Sequence, residues 1–92
     1  MIQSFACTET RSIFEGRASR RFSSVRQQLE RRLQLLHNAK RVEDLRLPPG
    51  NRLEALRGNR AGQFSIRVND QFRLCFRWPA AGPSDVECVD YH

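Results

Sequence analysis

A chain of 92 residues, 39% hydrophobic and 28% charged, allows one small domain with a modest core and excludes a disordered tail. No apolar run approaches the roughly 20 residues of a membrane span. Lysine and arginine number 16 against 10 acidic residues, a formal charge of +6, and Lys40 is the one lysine among the sixteen. Arginine forks around phosphate and stacks on bases, whereas lysine offers a point charge. The surplus therefore points to nucleic acid or an acidic partner. A high-GC genome that favours arginine codons would leave the same bias on a merely solvated surface.

The first residues, Met1-Ile2-Gln3-Ser4-Phe5, lack the basic and long apolar regions of a signal peptide. A cytoplasmic protein, with no membrane partner, is the expectation. Ile2–Ala6 reads as a short N-terminal strand. Thr8 is placed as the N-cap of a short helix, with Glu9 in its first turn, Ile13 and Phe14 on its buried side and Gly16 as its stop. Ser23 or Ser24 then caps a longer helix, in which Val25, Leu29, Leu33 and Leu36 form one apolar stripe. It should run about 15 residues, or about 22 Å. Val42, Leu45 and Leu47 suggest a further helical turn, ended by Pro48-Pro49-Gly50-Asn51.

The last forty residues carry three strand-like runs. In Gly62–Val68, the residues Phe64, Ile66 and Val68 alternate with Ser65 and Arg67. In Phe72–Trp78, the residues Phe72, Leu74, Phe76 and Trp78 alternate with Arg73, Cys75 and Arg77. The third run closes on Asp90-Tyr91-His92. Alternation means one apolar and one wet face. The order predicts an α+β fold, a small antiparallel-rich twisted sheet with two or three helices packed on one face. The other face is expected to stay open and to carry Ser65, Arg67, Arg73, Cys75 and, by parity, Tyr91. Val86 and Cys88 point to the helices.

Cys7, Cys75 and Cys88 have no CxxC spacing and read as free thiols. A zinc site would need His37 and His92 to join them, so no metal is expected. No Gly-rich phosphate loop follows a strand, and no Ser-His-Asp set is legible. What remains is Arg73 with Arg57, Arg60 and Arg67, the acids Glu54 and Asp90, and the terminal Tyr91 and His92. Metal-free RNA cleavage needs little more. A base takes the 2′-OH proton, the oxygen attacks the phosphate in line, a cation holds the phosphorane charge, and an acid protonates the leaving 5′-oxygen. His92, with an ordinary pKa near 6.5, suits either proton role, against a frayed end as the bland alternative. Tyr91 can stack on a base or simply pack. Parity puts Asp90 on the opposite strand face from Tyr91, where it steadies the terminus.

Several short motifs recur in order along the whole chain. They are Met1-Ile2-Gln3-Ser4-Phe5, then Pro49-Gly50-Asn51-Arg52-Leu53-Glu54-Ala55-Leu56, Gly58-Asn59-Arg60-Ala61-Gly62, Ser65-Ile66-Arg67-Val68-Asn69, Phe72-Arg73 and the closing Asp90-Tyr91-His92. In this order the sequence resembles the HigB-type, GraT-like toxins of the RelE superfamily, the host-inhibition or proteic killer group of bacterial toxin–antitoxin modules. The resemblance implies a fold like small microbial ribonucleases and one toxin domain over residues 1–92. It implies cleavage of mRNA in the 30S A site of the translating ribosome, without a cofactor. It also implies a HigA-like helix-turn-helix antitoxin, which alone brings the pair to operator DNA. By position Arg73 resembles the phosphate-holding arginine, and Asp90, Tyr91 and His92 resemble the C-terminal catalytic group. Some family members have His where this chain has Glu54, and Lys where it has Arg57. A glutamate with an ordinary pKa near 4.3 is a weaker base at pH 7 unless burial raises it. The alternatives are a non-catalytic module of the same fold that binds RNA or a partner, and a small DNA-binding repressor, though the helices show no helix-turn-helix pair.

Overall fold

The computed structural model describes residues 1–90. The apolar stripe expected around Leu29 forms α2, Arg26–Asn38, and Val25, Leu29, Leu33 and Leu36 are all buried. The preceding helix, α1, is Thr8–Phe14, with Ile13 buried and Phe14 half-buried. Gly16 follows it at φ 81°, a left-handed conformation that ends a helix at little cost to glycine. Four strands follow: β1, Glu54–Ala55; β2, Gln63–Arg67; β3, Phe72–Arg77; and β4, Ser84–Asp90. They form one antiparallel sheet in the order β1-β2-β3-β4. The α+β expectation holds, with the helices against one face. There Ile66, Leu74, Phe76, Val86 and Cys88 meet Leu29, Leu33 and Leu36 in one core.

The helix starts differ from expectation. Thr8 is the first residue of α1 and Cys7 holds the cap position, with no side-chain cap bond. Ser23 and Ser24 lie within a 3-10 turn, Ser23–Val25, that feeds α2. That turn binds the Val25 N–H to the Phe22 carbonyl at 3.1 Å, so an orphan donor is met by backbone instead of a serine. Phe22 itself lies off the α2 stripe yet is fully buried, edge-on to Phe72. Of the Val42, Leu45 and Leu47 trio, a 3-10 turn at Val42–Arg46 buries Leu45, while Leu47 lies beyond it and is exposed.

The N-terminal segment pairs more lightly than a strand. Phe5 bridges Val86 in parallel, with bonds from the Gln3 N–H to the Pro83 carbonyl and from the Ala6 N–H to the Val86 carbonyl. Past Ala6 the chain turns into α1, and the buried Thr10 hydroxyl accepts the Cys88 N–H at 3.0 Å. The hydroxyl thus continues what the strand partner leaves off.

The largest departure concerns the sheet face away from the helices. Ser65 and Cys75 are fully buried and Arg73 is 8% exposed. The chain from Asn51 to Arg60 folds back across this face. β1 pairs with β2, Leu56 is buried, and Arg60 reaches Gln63 on β2 and Glu87 on β4. β3 is therefore covered on both faces. Alternation distinguishes polar from apolar sides but carries no sign of what will fold across either.

Candidate functional site

Register defines the rows of the covered face. Glu54, Ser65, Cys75 and Glu87 are successive cross-strand partners from β1 to β4, and Arg67, Arg73 and Val89 form the next row. Arg73 is anchored by its neighbours. Its Nε donates to the Ser65 hydroxyl at 2.8 Å. Its Nη2 donates to the Arg52 carbonyl at 2.6 Å and to the Ser65 carbonyl at 3.3 Å. Glu54 adds a carboxylate oxygen 3.8 Å from Nη2, but its side chain is 54% exposed. A pair that open to water contributes at most about 1 kcal/mol, so the hydrogen bonds do most of the holding.

The Arg52 carbonyl is aimed by an unusual backbone. Arg52 sits at φ 46° and ψ 57°, the left-handed region, at the end of a 3-10 turn, Pro49–Asn51. Behind it Asn51 is fully buried, and its Nδ2 donates to the carbonyls of Leu45 and Leu47. This pins one loop to another and fixes where Arg52 can point.

On the other side Arg67 pairs with Asp70 in the β2–β3 turn. Arg32 of α2 donates its Nε to the Arg67 carbonyl at 2.8 Å. Burial first, then the nearby cations Arg67 and Arg31, lowers the Arg32 pKa from its usual high value. Arg52, Glu54, Arg67, Asn69, Asp70 and Arg73 together line a hollow of about 260 Å³. Three guanidinium groups against two carboxylates leave it cationic, which suits a phosphate. A larger groove of about 660 Å³ runs along the outer side of α2 past Leu35 and Pro48. Its cations, Arg31 and the half-buried Arg32, are set against Glu30, and none is as deeply buried as Arg73.

Arg60 lies beside the hollow rather than in it. It joins Gln63 at 3.1 Å and Glu87 at 2.9 Å, bridging the two strands that flank Cys75. Burial pushes the Cys75 thiol up more than Arg60 draws it down, and Glu87 adds to the rise. Burial likewise pushes Cys88 up to about 12. Both stay protonated at neutral pH, and protonated thiols are poor nucleophiles.

Of the residues singled out in the sequence, Arg73, Arg67 and Glu54 meet in the hollow. Arg57 is exposed at the start of the Gly58–Arg60 turn, outside that lining. Asp90 is the cross-strand partner of Phe72, hence on the helix side of the sheet, and accepts from Gln71 Nε2 at 3.0 Å. Tyr91 and His92 lie outside the described residues. Residue pattern alone does not single out Arg52, Asn69 and Asp70; the turn signals at Gly50-Asn51 and Asn69-Asp70 are the visible hint of them. Among the described residues no group of three or more His, Cys, Asp or Glu side chains is placed to hold a metal. No described helix is long and apolar enough to cross a membrane.

Comparison with known proteins bears on this arrangement. A family model described as "RelE-like toxin of type II toxin-antitoxin system HigB" matches residues 4–92. Toxin HigB-1 of Vibrio cholerae is 54% identical over 56 residues, 61% of this chain and 59% of that protein. An uncharacterized protein of Haemophilus influenzae is 38% identical over 56 residues, 61% of this chain and 55% of that protein. The chain thus matches less than two thirds of the length of either relative. A YoeB/ParE toxin from Agrobacterium tumefaciens superposes with a TM-score of 0.60, covering 99% of this chain and 98% of that one. At 19% identity that likeness speaks for the fold. Matched by the family model from residue 4 to residue 92, the chain belongs to the HigB family of RelE-like toxins of type II toxin–antitoxin systems.

Proposed function

We propose that this toxin is a ribosome-dependent endoribonuclease that cuts translated mRNA in the 30S A site by metal-independent attack of the 2′-OH. The observation that carries the reading is Arg73, a guanidinium at 8% exposure fixed at the edge of a cationic hollow. A cation held in advance of the reaction stabilises charge that develops on the phosphorane without reorganising. Arg67 and Arg52 supply the rim that would hold the flanking phosphates. Arg57, in this reading, extends that track outside the hollow, and Arg60 supports the sheet beneath it. Two groups of the chain can take the 2′-OH proton, Glu54 at the hollow and the terminal His92, and the other is free to act on the leaving 5′-oxygen. Tyr91 would stack on a base, and Asp90 would steady the strand end through Gln71. The ribosome would orient the in-line attack, which so small a site needs. A HigA-like antitoxin would neutralise the toxin and bring the pair to its operator, and the cytoplasm is where all these partners meet.

A second reading, a non-catalytic module that binds RNA or a partner, is favoured by one observation: Arg73 already spends Nε and Nη2 on Ser65 and the Arg52 carbonyl. Translating extract separates the two. Added toxin should cut ribosome-bound mRNA while leaving free RNA largely whole, and co-expressed antitoxin should restore growth to cells arrested by the toxin. Intact mRNA beside blocked translation would favour the binding module. Normal growth and translation with folded toxin present would remove both.

A further inference from the structure

Asp70 is 98% exposed at the tip of the β2–β3 turn, yet its carboxylate lies on the Nη2 of Arg67. Four hydrogen bonds from three side chains keep that tip in place. Asn69 Oδ1 accepts the N–H groups of Gln71 at 2.9 Å and Phe72 at 2.7 Å, an Asx turn that sets the backbone around Asp70. Gln71 Nε2 ties the turn to Asp90 at the end of β4. Arg32 holds the Arg67 carbonyl from α2. Asp70 is therefore presented to Arg67 by a braced turn, and little loop entropy is lost in making the contact.

We propose that Asp70 is a resident competitor for the phosphate that Arg67 is placed to hold, so that RNA occupies the hollow by displacing a carboxylate. The inference rests on the reading of the hollow as an RNA site and adds to it a residue that sets affinity. A carboxylate and a phosphate present the same pair of oxygens to a guanidinium fork, so both cannot use the Nη2 edge at once. Without Asp70 the hollow would hold three arginines against Glu54 alone; with it, the surplus is one positive charge. The arginine-rich surface is thus kept from gripping every polyanion it meets. Release is easy because the pair is exposed: such contacts shift an equilibrium by about two- to five-fold, not by orders of magnitude. Asp70 restrains binding without preventing it. Glu54 does not duplicate the role, since it stands 3.8 Å from a guanidinium already held by Ser65 and Arg52.

The test is equilibrium binding of a short fluorescent single-stranded RNA, 2′-O-methylated so that it cannot be cut, across a range of salt concentrations. Asp70→Asn should tighten binding by about two- to five-fold. It should steepen the dependence of log K on log salt by about 0.7, the worth of one more phosphate contact that releases its counterion. The gain should vanish in an Arg67→Ala background. Glu43→Gln, the same charge change on an exposed residue away from the hollow, should give a smaller gain that survives Arg67→Ala. Asp70→Ser, too short to reach Arg67, repeats the test, and equal melting temperatures confirm that the turn is intact. If Asp70→Asn gains no more than Glu43→Gln, or keeps its gain without Arg67, the competitor role is overturned while the RNA site stands. If the wild-type protein fails to bind the RNA at every salt concentration, the reading of the hollow fails with it.

Discussion

A guanidinium at 8% exposure has to be met by acceptors, and Arg73 finds them in the Ser65 hydroxyl and two backbone carbonyls. Alternation alone makes Arg73 a surface residue whose loss folding would ignore. Burial changes that expectation. Arg73→Ala should lower cleavage on ribosomes by on the order of 10²–10³. It should also destabilise the fold by about 1–3 kcal/mol, because Ser65 and the Arg52 carbonyl lose a buried donor. Thermal melts beside cleavage assays run well below the lowered midpoint keep the two losses apart. Near-normal turnover would remove Arg73 from the mechanism. The base is separated in the same way: Glu54→Gln and His92→Gln should differ, with a loss of roughly 10²–10⁴ at the residue that moves the essential proton. At this scale the parity of β3 was legible, and so was Arg73 as the cation to watch. Its acceptors were not, because a carbonyl contributed by Arg52 leaves no mark in residue type.

Elements bring these residues together, and the loop before β1 matters as much as any strand. Arg52 adopts a left-handed backbone at φ 46°, which costs a non-glycine residue about 1–2 kcal/mol. Arg52→Gly keeps the carbonyl that holds Arg73 and removes the side chain from the hollow. Relief of that strain offsets the extra freedom of glycine in the unfolded chain, so the melting temperature should hold or rise slightly while RNA binding weakens; a large loss of stability would mean that the Arg52 side chain, not its carbonyl, holds the loop. Upstream, Asp44 braces the Val42–Arg46 turn by accepting the N–H groups of Lys40 and Arg41. Those bonds hold its carboxyl below the usual carboxylate value of 3.8. A lowered folded pKa means that its contribution is complete above the unfolded pKa and is lost as pH falls through the folded one. Stability should therefore drop on acidification below about pH 4, and Asp44→Asn should flatten that part of the profile. In α2, Leu33→Ala should cost about 2–5 kcal/mol by opening a cavity in the core, read from denaturant midpoints. The α2 stripe, β2 and β3 were readable because each repeats a period over several residues. β1 has two residues and the N-terminal pairing is a single bridge, so neither offers a period. The folding of Asn51–Arg60 over the sheet is a tertiary event that local pattern does not encode.

Over the whole molecule, +6 on 92 residues makes a long-range field that would steer any polyanion toward the protein, while the hollow supplies the placed charge. Binding to single-stranded RNA should weaken steeply with salt, and each arginine removed from the rim should shallow the slope by about 0.7. The overall composition pointed to an anionic partner, and the ordered motifs from Met1 to His92 pointed to the toxin family. Composition did not show that acids would sit among the arginines, with Asp70 on Arg67 and Glu54 beside Arg73. The central proposal is that RNA is cut by attack of its own 2′-OH, with charge supplied by side chains of this protein. The most direct measurement is the end chemistry of mRNA cut on programmed ribosomes, with a 2′-O-methyl group placed at the scissile position in a parallel sample. The account predicts 2′,3′-cyclic phosphate or 3′-phosphate ends from the unmodified message, and no cutting of the methylated one. Products with 3′-hydroxyl ends, or cutting that proceeds past the 2′-O-methyl group, would contradict it.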